Sequence, residues 1–191
     1  MSASAQPRLS PTEYLAFDRA DDETRHEYVD GLMVAMAGGT GRHSLLIGAF
    51  SRLLGNALKG GKCAVSVTEL RLQVAQGAAY LFPDIMVICG GFQYSDAPKD
   101  TVLNPTVIVE VLSGSTERWD RVGKFTRYRL VPTLREYVLV SQDEMRIERY
   151  TRNEHGEWVY HVDTGLEGAC HLESLNIDIP LAEVYLQIDQ A

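Results

Sequence analysis

The chain has 191 residues, 45% of them hydrophobic and 23% charged, the balance of a soluble globular domain rather than a disordered or collagenous chain. Eighteen Lys and Arg against 26 Asp and Glu leave a net charge of −8, which opposes indiscriminate binding to phosphate backbones. Apolar stretches are only a few residues long, too short to cross a bilayer, and MSASAQPRLS has no signal-peptide core. Cys63, Cys89 and Cys170 are odd in number and scattered, so neither a zinc motif nor a disulfide framework is expected, and a reducing, cytoplasmic setting is.

Residues 1–10 read as a flexible arm and 11–191 as a single domain. Ser10-Pro11-Thr12-Glu13 is a capping box that opens a short helix ending near Asp21-Asp22. Arg25 to Met36 reads as a hairpin turning at Asp30-Gly31. Gly38 to Gly41 is a loop; it lacks the lysine of a phosphate-binding loop. From Arg42 to Lys59 the apolar stripe of Leu46, Phe50, Leu53 and Leu54 predicts a helix, stopped by Gly60-Gly61. Strands follow over Cys63–Val67, Leu70–Val74, Ile85–Cys89 and Thr106–Leu112. Thr116 caps a second helix running to about Arg129, Glu136–Val140 is a strand, and a meander occupies 144–150, 157–162 and the region near Ile177. Pro180 opens a short last helix. This order predicts a mixed α/β sheet with helices on its faces.

Two acids stand where a core is expected. In Val107 to Leu112, Glu110 shares a strand face with Ile108 and Leu112, while Val107, Val109 and Val111 line the other. An unpaired carboxylate there is costly, so it calls for a protein cation or a metal. Asp84 repeats the pattern at the head of Ile85–Cys89. Together they suit a hard cation such as Mg²⁺ or Mn²⁺; equally, each can sit at a strand mouth beside water or an arginine. On the next helix Asp120 and Lys124 stand four residues apart, on one face with Tyr128. Six of the 18 basic residues fall between Arg118 and Arg135, with Asp120 as the only acid among them. Such a stretch could hold a phosphodiester; each arginine taken singly reads as a solvated helix residue.

Pro83-Asp84, Glu110-Val111-Leu112-Ser113, Asp120 and Lys124 resemble the PD-(D/E)xK restriction-endonuclease-like superfamily, and within it the Uma-two family. Glu27 with Asp30-Gly31 matches the family's early acid and glycine, His43 its histidine at the long helix, and Glu136-Tyr137 its aromatic strand. The likeness runs from about Pro11 to Val140. It implies a restriction-endonuclease-like α+β fold, a mixed central sheet flanked by helices with additional antiparallel strands towards both ends. The superfamily lysine normally follows the acid by two residues, where this chain has Leu112, so the resemblance transfers that role to Lys124. Gly114 also replaces a proline common in the family.

What the resemblance implies is a Mg²⁺- or Mn²⁺-dependent DNA endonuclease. Asp84, Glu110 and the Val111 carbonyl would bind the metal, Lys124 would orient water or stabilise charge, and Glu27 would complete the site. Asp120 would brace Lys124, and Arg121 and Arg127 would bind nucleic acid. Glu27 reads equally well as an exposed acid paired to Arg25; His43 reads as a structural neighbour of the helix cap rather than a catalyst, and Tyr128 as packing rather than catalysis. A homodimer is an expectation, because duplex cleavage needs two cuts. A non-catalytic DNA- or protein-interaction module that keeps the fold is the alternative. A hydrolase of a small phosphoester, which would not need the basic helix, is a third reading.

Overall fold

The computed structural model describes residues 8–36, 38–114 and 116–188; most of the expected arm lies outside them. Helix α1 (Pro11–Ala20) starts at the capping box: Ser10 Oγ accepts from the Glu13 N–H, and the Glu13 side chain accepts from the Ser10 N–H. Strands β1 (His26–Val29) and β2 (Leu32–Ala35) form the expected hairpin. Asp30 and Gly31 both have positive φ, 51° and 92°, as a two-residue turn matched to strand twist requires. Helix α2 (Gly41–Ala57) is capped by Thr40, whose side chain accepts from the His43 N–H. Then come β3 (Cys63–Val67), β4 (Arg71–Val74), β5 (Ala79–Leu81), β6 (Ile85–Cys89), β7 (Thr101–Val102) and β8 (Val107–Val111).

The predicted helix after Thr116 is not one regular α-helix. A π-helical segment, Trp119–Lys124, precedes the short α3 (Phe125–Tyr128). Nor does the Thr116 hydroxyl act as the cap, since it donates to Asp120 Oδ2 at 2.7 Å. The chain closes with β9 (Glu136–Val140), β10 (Arg146–Arg152), β11 (Trp158–Thr164), β12 (Ala169–Leu172), β13 (Ile177–Pro180) and α4 (Leu181–Val184).

Six strands in the order β11-β10-β9-β8-β6-β3 make the central sheet, in which β8 and β9 run parallel. A second sheet, β2-β1-β5-β4-β7, carries the N-terminal hairpin at its edge, and β12 pairs with β13. Both faces of the central sheet are covered. Val107, Val109 and Val111 pack with Leu46, Phe50 and Leu54 of α2. Ile108 and Leu112 pack with Met86, Tyr128 and Leu139 on the other side. That double burial is why β6 is a continuous apolar run and why β8 and β9 are apolar apart from Glu110 and Glu136.

The cysteine reading needs correction. Register places Cys63 of β3 opposite Cys89 of β6, where they form a disulfide, and Cys170 is the buried free thiol. An inference of a reducing compartment from scattered, unpaired cysteines therefore loses its basis. Among the described residues no helix is long and apolar enough to cross a membrane.

Candidate active site

The antiparallel register of β6 and β8 pairs Ile85 with Val109, which brings Asp84, one residue before β6, up to Glu110. The two are locked reciprocally. The Asp84 N–H donates to Glu110 Oε2 at 3.3 Å, and the Val111 N–H donates to Asp84 Oδ2 at 2.8 Å. Glu110 is 2% exposed inside a strand whose neighbours are all apolar, so its charge must be met from above. Lys124 meets it: Nζ lies 3.0 Å from Glu110 Oε1, 3.2 Å from Asp120 Oδ1 and 3.4 Å from Glu27 Oε1. The Asp120–Lys124 pair anticipated from helical spacing survives the π-helical turn.

Electrostatics follow from this crowding. Burial pushes the Glu110 carboxyl well above its usual range; the Lys124 ammonium opposes the rise, while Asp84, Asp120 and Glu27 add to it. For Lys124, burial disfavours the ammonium, yet Glu110, Glu27, Asp120 and Asp84 outweigh it and hold the group charged. Burial also raises Asp120, with Lys124 and the Thr116 hydroxyl acting against it.

Glu27 reaches the site across the other sheet. Its alternative partner, Arg25, is engaged by Glu69 and the Thr68 carbonyl instead. Glu27 Oε2 accepts from Trp119 Nε1 at 3.2 Å, and Oε1 lies 3.4 Å from the Phe82 N–H. The indole can lie there because residue 123 is glycine: a Cβ at Gly123 would fall 1.8 Å from Trp119 Cε3. Arg127 stacks over the same indole, 5.2 Å from its centroid.

Two groups join the site that sequence reasoning placed outside the chemistry. The Tyr128 hydroxyl donates to Glu110 Oε1 at 2.8 Å, so this fully buried side chain is more than packing. Its position on the Asp120–Lys124 face was the available signal. His43 Nε2 lies 3.3 Å from Asp84 Oδ2. That carboxylate raises the imidazole above its ordinary value; burial opposes the shift and the Val111 carbonyl supports it. No local pattern tied His43 to residue 84. Leu112 is a buried core residue, as expected of the vacated lysine position.

The two arginines expected to grip nucleic acid are already engaged. Arg121 forms a two-pronged pair with Glu148, at 2.7 and 2.9 Å, and also meets Glu117 at 2.8 Å. Arg127 pairs with Asp30 of the hairpin turn at 2.6 Å. Arg118, Arg129 and Arg135 are exposed, with no ion-pair partner among the described residues. Beside the C-terminal end of β8 a cavity of about 520 Å³ opens, lined in part by Thr40, Arg42, Ser113 and Gln142.

Could these residues hold a divalent cation? Among the described residues no three His, Cys, Asp or Glu side chains form a metal cluster. The site offers two carboxylates and a backbone carbonyl. Its donors are all hard oxygens, and Glu27, Asp84, Glu110 and Asp120 share the Lys124 ammonium and the His43 imidazole. Burial is the main cause of the raised Glu110 carboxyl, and the neighbouring Asp84, Asp120 and Glu27 carboxylates add to it. A divalent hard cation fits both the charge and the donor type.

A family model described as "Putative restriction endonuclease" (Uma2) matches residues 11–179. The chain belongs to the Uma2 family. Two uncharacterized proteins of Synechocystis sp. are similar to it. One is 36% identical over 187 residues, covering 94% of this chain and 92% of the relative. The other is 33% identical over 151 residues, covering 79% and 85%. A solved structure from Anabaena variabilis, described as a putative nuclease belonging to DUF820, superposes with a TM-score of 0.73. It covers 94% of this chain and 99% of the other at 15% identity, so it shows that the Uma2 chain shares this fold.

Proposed function

We propose that this Uma2 protein is a metal-dependent nuclease that hydrolyses phosphodiester bonds, with DNA as the expected substrate. The observation that carries the reading is Lys124, a buried ammonium within 3.4 Å of Glu110, Asp120 and Glu27, on the strand end where Asp84 faces Glu110. In this reading Asp84, Glu110 and the Val111 carbonyl hold Mg²⁺ or Mn²⁺. When bound, the ion supplies Lewis-acid polarisation of a phosphoryl oxygen and lowers the pKa of water. Lys124 supplies a fixed positive charge towards the phosphate, in a site where low polarisability strengthens it. Asp120 and the Thr116 hydroxyl hold Lys124 in place, Tyr128 orients Glu110, and Trp119 orients Glu27.

The test is a paired one. Mn²⁺ should raise the melting temperature of the wild type by mass action and support cleavage of plasmid and oligonucleotide substrates. Asp84→Asn with Glu110→Gln should abolish both while the circular dichroism of the fold persists. Identical melting in EDTA and in millimolar Mn²⁺, with no cleavage, refutes the reading.

A further inference from the structure

The cavity beyond β8 adjoins the acid cluster without being part of it. Strands β8 and β9 run parallel, with Val111 opposite Val140, and the cavity lies past their carboxyl ends, where open α/β sheets take their ligands. Its walls are tied to one another. The Gln142 side-chain amide donates to the Leu112 carbonyl at 2.6 Å, and the Thr40 hydroxyl donates to Gln142 Oε1 at 2.8 Å. Two stretches of chain lead from these walls to the cluster in a single residue. Leu112 follows Val111, whose N–H donates to Asp84, and Arg42 precedes His43, whose ring meets the same carboxylate.

Arg42 is the cation on these walls, and the fold itself does not use it. The side chain is partly buried, it has no ion-pair partner among the described residues, and its Nε is buried without an acceptor. Arg42 is also the second residue of α2, at the end of the helix where the dipole disfavours a positive charge. A desolvated donor left unpaired and a cation at the wrong helix end both cost stability, so the guanidinium calls for an anionic acceptor from outside the chain. Two carboxylates share the cavity. Glu117 is already held by Arg121 at 2.8 Å, and Asp143 is exposed, where water and salt screen it. A phosphodiester oxygen matches the planar donors of an arginine, and a nucleic-acid strand brings one phosphate per nucleotide. We propose that Arg42 binds a backbone phosphate of a nucleic-acid strand laid across the acid cluster, with the neighbouring nucleotide seated in this cavity. The proposal rests on the nuclease reading for its choice of ligand. It supplies the grip that Arg121 and Arg127, committed to Glu148 and Asp30, do not.

The experiment measures anisotropy of a fluorescent DNA duplex, of the same DNA as a single strand and of its RNA counterpart, in EDTA and in Ca²⁺, across a range of salt. The full chain is compared with its Arg42→Gln and Arg42→Lys variants. Arg42→Gln should bind roughly tenfold more weakly, with a salt slope smaller by about one, because one phosphate contact and its released counterion are lost. Arg42→Lys should keep the wild-type slope. The Tm of Arg42→Gln should equal or exceed that of the wild type, since no internal partner is lost, and its rise in Mn²⁺ should persist. The arms with duplex, single strand and RNA tell which form the cavity takes. Wild-type affinity and slope in Arg42→Gln, or no binding of any form, overturn the proposal. So does a fall in Tm of several degrees in Arg42→Gln that Arg42→Lys reverses, because the charge would then serve the fold. Arg42-dependent binding without cleavage in any metal leaves this proposal standing and removes the nuclease reading. Cleavage undiminished in Arg42→Gln does the reverse.

Discussion

Replacing Lys124 with methionine tests the energetic arrangement of the site most directly. Methionine keeps much of the lysine's length and volume but removes the ammonium that stands 3.0 Å from Glu110, 3.2 Å from Asp120 and 3.4 Å from Glu27. Lys124 and Glu110 are 7% and 2% exposed, so water cannot take over. Breaking a buried pair by removing one partner costs about 3–5 kcal/mol, because the remaining charge is left uncompensated. For a domain of this size that corresponds to a fall in Tm of about 6–20 °C. The variant should still fold, since a domain holds about 5–15 kcal/mol. Adding Glu110→Gln to Lys124→Met removes much of the orphaned charge, so the double variant should be more stable than the sum of the two single losses by at least about 1 kcal/mol. Urea denaturation in EDTA measures all four corners of the cycle. Additive losses, or a Lys124→Met cost below about 1 kcal/mol, would refute the claim that this lysine balances the acid cluster. Under the proposed function the same variant lowers cleavage roughly 10²–10³-fold.

Two further outcomes follow from single contacts. Gly123→Ala should push the Trp119 indole off its seat and break its bond to Glu27, costing about 1–3 kcal/mol and shifting tryptophan emission; unchanged emission and stability would show that the close approach is irrelevant. Glu148 concerns acid stability. Burial raises its carboxyl, but hydrogen bonds from Arg121, Tyr160 and Arg146 outweigh this and hold it at about 2, below the ordinary 4.5. Because the folded value is the lower one, Glu148 stabilises the fold above pH 4.5, and that contribution drains away as pH falls towards about 2. Acid titration of wild type and Glu148→Gln should therefore converge in that window; curves that stay parallel there would overturn the assignment.

Much of this protein is written locally. The Ser10–Glu13 capping box, the Asp30-Gly31 turn, and strands Ile85–Cys89 and Glu136–Val140 are legible from neighbours a few residues away, because helix caps, turns and strand alternation are short-range chemistry. The same periodicity marks Glu110 and Asp84 as acids in apolar strands and sets Asp120 above Lys124. Short elements escaped it. Ala79–Leu81 is buried on both faces and so shows no alternation, Thr101–Val102 is two residues long, and the four-residue Ala169–Leu172 is placed by pairing with β13 and by burying Cys170 and Leu172 in the core. The choice of electrostatic partner also lies beyond local pattern, since it depends on which carboxylate the fold brings within reach. Arg121 and Arg127 look like free cations along the helix until β10 presents Glu148 and the hairpin presents Asp30. Glu27 looks like a partner for Arg25 until sheet packing carries it to Lys124 and Trp119. His43 meets Asp84, and Cys63 meets Cys89, only across the assembled sheet and its covering helix. Periodicity along the chain determines which faces are buried; which charges then meet on those faces is decided by contacts between residues tens of positions apart, and only the tertiary structure contains them.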